Sequence, residues 1–230
     1  MIKGDLRKQE IMNTAEALFC RKGYEQTSIQ DILDEMNSSK GSFYHHFISK
    51  EALLESICRR RAAQIYAAAE ESVSDENTAA RNMDILLSGM IPFRSEKLSF
   101  LMMLLPVFRI PEGRMVRLGY CDALADLFRP AVIRQIGRGH QAGELFCTDA
   151  ENAADILLTL VNRLWVLICD RMIEHETNGS EPDTAEFLRI TERYRMTAEQ
   201  SVSLPHGSLE LISIPTLRSL NGQIHNHWKG

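Results

Sequence analysis

The chain has 230 residues, of which 44% are hydrophobic and 25% charged, and its net charge at pH 7 is −5. This composition is typical of a soluble globular protein and excludes a uniformly basic nucleic-acid binder. No apolar run approaches the roughly 20 residues of a membrane span, and charges interrupt the N-terminus, so we expect a cytoplasmic protein without a signal peptide, whose cysteines stay reduced.

The first predicted helix runs from Asp5 to Lys22. Apolar residues recur in it at helical spacing between Ile11 and Phe19, which predicts a buried stripe. Gly23 follows directly and can adopt the left-handed conformation that ends a helix.

Residues 27–50 predict two short helices around a tight turn, followed by the start of another helix. Either Thr27 or Ser28 can begin the first of them, since each has a capping-box partner three residues later. Asn37 tolerates the left-handed backbone that a sharp turn needs, and Ser39 can cap the second short helix.

The second short helix has two different faces. Phe43 and Phe47, four residues apart, form its inward side. Its outward residues are Lys40, Gly41, Ser42, Tyr44 and His45. None of these is a carboxylate, and the major groove of DNA is wide enough for one helix, so the pattern predicts insertion into DNA.

The stretch from Leu6 to Leu54 resembles the DNA-binding region of the TetR family of transcriptional regulators. The resemblance rests on IMNTAEALFCRKGYEQTSIQDI followed by SSKGSFYHHFISKEALL. It implies an all-α fold, in which an N-terminal three-helix helix-turn-helix head is linked by a long fourth helix to a larger helical ligand-binding and dimerisation domain. It also implies a sequence-specific DNA-binding regulator, usually a repressor, that a small effector releases from its operator.

The resemblance assigns DNA contacts to nine residues: Thr27, Ser28, Ser39, Lys40, Gly41, Ser42, Tyr44, His45 and Lys50. Lys50 and Tyr44 would clamp phosphates, and amides and hydroxyls at Thr27 and Ser28 would also meet phosphate. Lys40 is the best base reader by chemistry, since a lysine can donate to guanine. We therefore expect loss of the Lys50 side chain to weaken binding to all sequences and to flatten its salt dependence.

Two further basic groups leave two interpretations open. Lys3, Arg7 and Lys8 either contact the DNA backbone or form a solvated terminus. The run from Arg59 to Arg61 is either a DNA-contacting patch or, as we favour, a solvated helix face.

The rest of the chain also has a helical pattern. Predicted helices run from Lys50 to about Ser72, from after a break at residues 74–77 to about Met90, from Ser95 to Val107, from Glu112 to about Gly139, from Ala150 to about Glu176, and from Asp183 or Thr184 to about Gln200. Gly119 and Pro130 predict a kink or a division in one of them, and Gly137, Gly139 and Gly143 predict a loop after it. The predicted domains are residues 1–48 for DNA binding, 49–72 as a connecting helix, 73–200 for effector binding and dimerisation, and 201–230 as a tail of unknown role.

Methionine and aromatic residues are frequent in the body, where the resemblance implies an effector site. The candidate lining residues are Met90, Phe93, Phe100, Met103, Phe108, Arg109, Tyr120, Asn162 and Trp165. Such a lining suits an apolar or aromatic ligand, while ordinary core is the alternative for each residue.

A homodimer is expected, because two heads about 34 Å apart would contact two half-sites of a palindromic or near-palindromic operator. The helix from Ala150 has a wide apolar stripe, which predicts an interface together with the last helix. The candidate interface residues are Ile156, Leu160, Leu164, Leu167, Phe187 and Tyr194. The alternative is that this stripe is only intrachain core.

The tail, 201–230, is too apolar for a disordered segment, so we expect it to fold back on the body or to pack on a partner subunit. Its closest approach to a strand pattern is 209–214.

Other functions have weaker support. A thiol- or metal-responsive regulator would use Cys121, Cys147 and Cys169, and a helical protein-interaction module would have kept the head but lost DNA binding. An enzyme is disfavoured, because the chain has no Gly-rich phosphate loop, HExxH or GxSxG motif. We expect no cofactor and no metal site.

Overall fold

The computed structural model describes residues 3–93, 95–111, 113–181 and 183–220, apart from the side chains of residues 3 and 95–97. These ranges contain helices and turns and no strand, which confirms the all-α prediction. The helices bounded within them are α1 (Lys3–Lys22), α2 (Ile29–Glu35), α3 (Lys40–Tyr44), α4 (Lys50–Glu70), α5 (Ala79–Met90), α6 (Ser95–Arg109), α7 (Gly113–Gln141), α8 (Ala150–Thr177) and α9 (Thr184–Ser201). None of the described helices has the length and apolar content needed to cross a bilayer.

The chain divides into two compact units. The first unit comprises Met1–Arg61 and Leu98–Tyr120, and the second comprises Ala62–Lys97 and Cys121–Gly230. Helices α4, α6 and α7 therefore contribute residues to both units. The functional domain borders predicted at residues 48, 72 and 200 stay a prediction.

The core of the first unit is built from the N-terminal helices. Helix α1 packs on α2, and α2 packs on α3. Leu18 and Phe19 of α1, Leu33 of α2 and Phe43 of α3 are all fully buried. Burial of this apolar surface joins three helices of which two are very short.

Two of the three arginines in the run of α4, Arg60 and Arg61, are less solvated than we expected. Arg59 pairs with Glu55 on the same helix, at 3.6 Å. Arg60 donates to Glu16 of α1 at 2.7 Å, and Arg61 also pairs with Glu16. The side chains of Arg60 and Glu16 are only 17% and 11% exposed. Arg60 and Arg61 therefore link α4 to α1 within the chain, whereas Arg59 is 71% exposed and lies on a solvated helix face, as we favoured for the run.

Helix α7 corrects one predicted alternative and one predicted border. It is a single helix from Gly113 to Gln141 with Pro130 inside it, so the division is wrong and the kink stays a prediction. Gly137 and Gly139 lie within the helix, and the turn follows at Gly143 with a φ of 72°. A Cβ on Gly139 would lie 2.8 Å from Leu145 Cδ2, so this glycine permits close packing.

Helix α5 follows the break at residues 74–77, as predicted, whereas α6 extends beyond its predicted end. Helix α5 begins after Thr78, whose side chain accepts a hydrogen bond from the amide of Arg81. Helix α6 continues past Pro106 to Arg109. Glu112, the predicted start of the following helix, lies outside the described residues.

The described part of the tail folds back on the second unit, as one of the two alternatives predicted. The amides of Glu210 and Leu211 donate to Asp84 Oδ1 at 2.8 and 3.0 Å. The amide of Leu209 donates to Glu199 Oε1 at 2.9 Å. Residues 209–213 form turns with Leu211 at a φ of 58°, and 214–220 are helical, so the suggested strand is wrong. Residues 221–230 lie outside the described ranges.

We expect Asp84→Asn to destabilise the second unit. The carboxylate of Asp84 accepts hydrogen bonds from two backbone amides of the tail, and the amide oxygen of an asparagine would be a weaker acceptor for them. The expected loss is about 1–3 kcal/mol in the free energy of unfolding. Urea denaturation at pH 7 measures this loss, and hydrogen exchange should show faster exchange at residues 209–212. Glu210→Gln is the matched control, since only the amide of this exposed residue joins the contact. Unchanged protection of the tail amides in Asp84→Asn would contradict the assignment.

Candidate nucleic-acid interface

The start of α2 is fixed by a capping box at Ser28. The hydroxyl of Ser28 accepts from the amide of Asp31 at 3.1 Å, and the amide of Ser28 donates to Asp31 Oδ2 at 2.7 Å. Of the two capping boxes predicted, this is the one that forms. The hydrogen bonds from the Ser28 hydroxyl and amide, followed by Lys22, lower the pKa of Asp31 to about 2.

The turn between α2 and α3 has the predicted geometry. Asn37 has a φ of 49°, the left-handed conformation expected of it. The amide of Ser38 donates to the carbonyl of Leu33 at 2.9 Å and so closes the end of α2. Ser39 caps α3, with its hydroxyl accepting from the amide of Ser42 at 3.4 Å. The angle between the two short helices is thus set by local hydrogen bonds.

Helix α3 turns one face inward and leaves the other open. Phe43 is fully buried and Phe47 is 3% exposed, as their spacing predicted. Lys40, Gly41 and His45 are exposed, and Tyr44 is 53% exposed. A Cβ on Gly41 would meet only Ser39 Oγ, at 3.9 Å, so no contact within the chain requires glycine there. The absence of a side chain leaves room for an outside molecule to approach the backbone.

Two features beside α3 were missed by the sequence reasoning. Arg7 Nε donates to Ser42 Oγ at 3.4 Å, which joins α1 to α3. Ile48 is 85% exposed in the loop after α3, although its neighbour Phe47 is buried. The sequence signal that could have predicted this exposed isoleucine was its position between a buried aromatic residue and a polar loop.

The exposed cations of this region differ in whether a carboxylate neutralises them. Lys40 has no ion-pair partner among the described residues, and Lys8 lies 5.7 Å from the ring centroid of Phe47. Arg7 is paired with Glu10 at 2.8 Å. The pKa of His46 is lowered, first by burial and then by His45, Lys8 and Arg7, which indicates a positive potential at this end of the head. The side chain of Lys3 lies outside the described part of the chain.

Thr27 has a different environment from the one predicted for a DNA contact. Its side chain is fully buried, and its hydroxyl donates to the carbonyl of Gly23 at 2.8 Å. Its amide donates to the carbonyl of Tyr24 at 3.2 Å. Thr27 therefore closes the turn between α1 and α2 from the inside, and its hydroxyl cannot reach a phosphate.

Lys50 is held by the same turn. Its Nζ donates to the carbonyls of Tyr24 and Thr27, each at 3.0 Å, and lies 4.2 Å from the ring centroid of Tyr24. The Tyr24 hydroxyl in turn donates to Glu51 Oε1 at 3.3 Å. Burial and the Glu51 carboxylate raise the pKa of Tyr24. Two of the three N–H donors of Lys50 are thus used within the chain.

A cavity of about 250 Å³ lies beside this cluster, within the first unit. It is lined by Tyr24, Glu25, Lys50, Glu51, Val107, Ile110, Gly113 and Val116. The lining combines a charged side from the head with an apolar side from residues 107–116.

The predicted effector residues are distributed over both units. Phe100, Met103, Phe108 and Tyr120 are buried and Arg109 is exposed in the first unit, while Met90, Phe93 and Trp165 are buried and Asn162 is half-buried in the second. Asn162 is used within the chain, since its Nδ2 donates to the carbonyl of Cys121 at 3.0 Å and its Oδ1 accepts from Trp165 Nε1 at 3.1 Å. Phe93 also lines a cavity of about 190 Å³ between α5 and residues 210–216.

The predicted dimer residues fall into two groups. Leu164 and Phe187 are fully buried within the chain, because α8 packs against α9 and α5, so their assignment to an interface is wrong. Ile156 is 49% exposed, and Leu160, Leu167 and Tyr194 are half-buried. The second group leaves an apolar stripe open on α8.

The cysteines and histidines form no metal cluster in the described residues. Of the proposed sensor cysteines, Cys169 is buried, and Cys121 and Cys147 are half-buried. Burial, aided by Glu16, raises the pKa of Cys20 and of Cys58, which disfavours their thiolates.

Comparisons with known proteins agree on the head. Residues 11–57 match the family described as bacterial regulatory proteins, tetR family. The chain is 32% identical over 150 residues to the uncharacterized HTH-type transcriptional regulator YerO of Bacillus subtilis, covering 58% of this chain and 48% of YerO. It is 29% identical over 82 residues to the HTH-type transcriptional repressor KstR2 of Rhodococcus jostii, covering 36% of this chain and 40% of KstR2. The chain thus spans about half the length of these curated relatives or less.

A solved structure extends the likeness beyond the head. The transcriptional regulator FadR from Bacillus subtilis, in complex with stearoyl-CoA, aligns with 86% of this chain and 99% of its own. The TM-score is 0.54 and the sequence identity 17%. At this identity the likeness concerns the fold.

The capping box predicts a pH dependence of stability. The pKa of Asp31 in the folded chain is about 2, below its ordinary value of 3.8, so the folded form binds fewer protons. The stabilisation is therefore complete above about pH 4 and is lost as the pH falls from there towards 2. Asp31→Asn should lower the Tm at pH 7, and the difference from wild type should shrink over that interval. Thermal unfolding between pH 2 and 7 measures this, with Asp34→Asn on the same helix as control; a Tm difference independent of pH would contradict the linkage.

Proposed function

Because this chain belongs to the TetR family of bacterial regulatory proteins, we propose that it is a sequence-specific DNA-binding repressor that acts in the cytoplasm. A small effector would release it from its operator. The relative KstR2 is named a transcriptional repressor, which supports the proposal that this chain represses transcription.

One observation carries the proposal of DNA binding: α3 exposes a face without carboxylates, on which Lys40 has no ion-pair partner among the described residues and Gly41 leaves the backbone open. A phosphate-rich partner gains most from a cation that has no partner within the protein. Ser39, Ser42, Tyr44 and His45 lie on or beside the same short helix and complete the surface. We place the Ser28 end of α2 against the phosphate backbone.

The operator would be palindromic or nearly so, because we propose a homodimer. Ile156, Leu160 and Leu167 recur at spacings of four and seven residues on α8 and share one open face. Tyr194 of α9 is half-buried and is the remaining candidate. A four-helix interface of α8 and α9 from two copies would cover this stripe.

The effector would be apolar or aromatic. Met90, Phe93 and Trp165 in the second unit, and Phe100 and Phe108 in the first, are buried side chains of the soft or aromatic kind that line such sites. FadR, which shares the fold, was solved with stearoyl-CoA, a ligand with a long apolar chain. We propose an effector with comparable apolar surface for this chain.

DNA recognition is tested by selecting duplexes from a random pool with the wild-type protein and measuring affinity for the recovered sequence. Lys40→Ala should weaken that affinity by about 1 kcal/mol or more and should relax the preference at one base pair per half-site, since a donor to a base edge is lost. Gln64→Ala, which truncates an exposed side chain on the part of α4 assigned to the second unit, should leave both unchanged. Equal binding of Lys40→Ala and wild type to all duplexes would exclude this recognition face.

The dimer is tested by Ile156→Glu, which places a charge on the open stripe of α8. We expect the dimer dissociation constant to rise at least about tenfold, because an unpaired charge would have to be desolvated in the interface. Sedimentation over a range of concentrations measures the change. Ile214→Glu is the matched control, since Ile214 is 47% exposed and Ile156 49% exposed. The interface would lie elsewhere if both variants dimerised like wild type.

A further inference from the structure

The cavity of about 190 Å³ beside α5 is closed on its other side by the folded-back tail, and both walls belong to the second unit. Four of its lining residues lie on one face of α5, at helical spacings of three and four: Arg81, Asp84, Ile85 and Ser88. The tail wall includes Glu210 and Ser213. This lining differs from the predicted effector site, with which it shares Phe93.

Opposite charges meet at one end of this cavity. Asp84 is 6% exposed, and its Oδ2 pairs with Arg81 Nη1 at 3.3 Å. Its Oδ1 accepts from the backbone amide of Glu210 at 2.8 Å. One buried carboxylate therefore places a cation of α5 beside an anion of the tail. Neither the other N–H groups of Arg81 nor the Glu210 carboxylate has a hydrogen-bond partner within the described ranges.

The cavity becomes apolar away from this charged end. Ser88 lies two helical turns beyond Arg81, and Ile91 and Phe93 follow it as buried lining residues. The volume is below the roughly 300–1,000 Å³ of pockets for drug-sized ligands. A dry cavity of about 150 Å³ already holds one benzene ring. The occupant is therefore a small molecule with a charged head and a short apolar part.

We propose that this cavity binds a free α-amino acid with an aliphatic side chain. Arg81 donates to the carboxylate of the ligand, Glu210 accepts from its ammonium group, and the side chain lies towards Ile91. A carboxylic acid alone would leave Glu210 beside a like charge, and an amine alone would do the same to Arg81, so the zwitterion fits best. Amino-acid binding is separate from the proposed DNA binding, and it is measured without a duplex.

Isothermal titration of the purified protein with L-leucine tests the site. We expect a dissociation constant below about 1 mM. Two analogues dissect the head group, since 4-methylpentanoic acid lacks the ammonium and 3-methylbutylamine lacks the carboxylate. Each should bind at least about tenfold more weakly than L-leucine, because one charge-assisted contact is lost.

Two variants assign each contact to its residue. Arg81→Gln should weaken L-leucine and 4-methylpentanoic acid at least about tenfold without weakening 3-methylbutylamine. Glu210→Gln should weaken L-leucine and 3-methylbutylamine without weakening 4-methylpentanoic acid. Arg134→Gln is the matched control and should bind like wild type. The Arg134 side chain is 58% exposed and pairs with one carboxylate, and that of Arg81 is 61% exposed and does the same.

Hydrogen exchange of the wild-type protein locates the ligand without any substitution. A bound amino acid would bridge α5 and the tail, so L-leucine should slow exchange at residues 209–213. Exchange in α8 should stay unchanged. The same measurement on the unliganded variants shows whether their tails remain docked.

Four results would overturn the inference. A cavity that holds only water would give no heat of binding up to about 10 mM L-leucine. Equal affinities for L-leucine and either analogue would exclude a zwitterion site. Binding that both Arg81→Gln and Glu210→Gln leave unchanged, or exchange at 209–213 that L-leucine does not slow, would place the site elsewhere. The proposed DNA-binding function would survive all four results.

Discussion

Burial of Phe43 is the contact on which the candidate interface depends. Helix α3 has five residues, far fewer than a helix needs to be stable by itself in water. Its order must come from the core of the first unit, where Phe43 is fully buried and its ring centroid lies 5.9 Å from that of Phe47. The Ser39 cap fixes where the helix begins, and the aromatic pair fixes which face points out. The outward direction of Lys40 and Tyr44 is thus a consequence of what is buried behind them.

The charges of the first unit are arranged so that few cations remain open. Arg21 pairs with Glu35, Lys22 with Asp31, and Arg60 with Glu16. A count of basic residues in this region therefore overstates its attraction for phosphate. The chain as a whole is acidic, so Lys40, which has no ion-pair partner in the described part of the chain, would orient this end of the protein towards the DNA that we propose it binds.

Features that depend on neighbours in sequence were predictable. Ser28, Asn37 and Ser39 act on amides or dihedral angles within a few residues, so their chemistry can be inferred from local sequence alone. The all-α fold follows from the same helical periodicity. Contacts between distant residues were not predictable in this way: Lys50 meets Tyr24 across 26 residues, and Arg60 meets Glu16 across 44. Both basic groups were therefore assigned to solvent or to DNA, because the sequence does not reveal which internal acceptors they reach.

The candidate dimer face illustrates a second limit. Periodicity identifies the apolar residues of α8 but does not say which neighbouring helix covers each of them. Leu164 and Ile156 belong to the same stripe, yet Leu164 is fully buried and Ile156 is half open, because α9 and α5 cover only one side of it. The prediction of effector residues has the same limit, because both core residues and residues that line a ligand site are buried.

The contact between Asp84 and the tail has a consequence during synthesis. Asp84 and Leu211 are 127 residues apart, and a ribosome that adds about 5–20 residues per second needs roughly 6–25 s to pass from one to the other. The first unit uses nothing beyond Tyr120, so all its parts have been made well before that interval ends. During this time the tail has not been made. The carboxylate of Asp84 therefore remains hydrated, and the apolar surface of α5 that the tail covers remains exposed. The core of the second unit is therefore completed only after every residue of the first unit has been made.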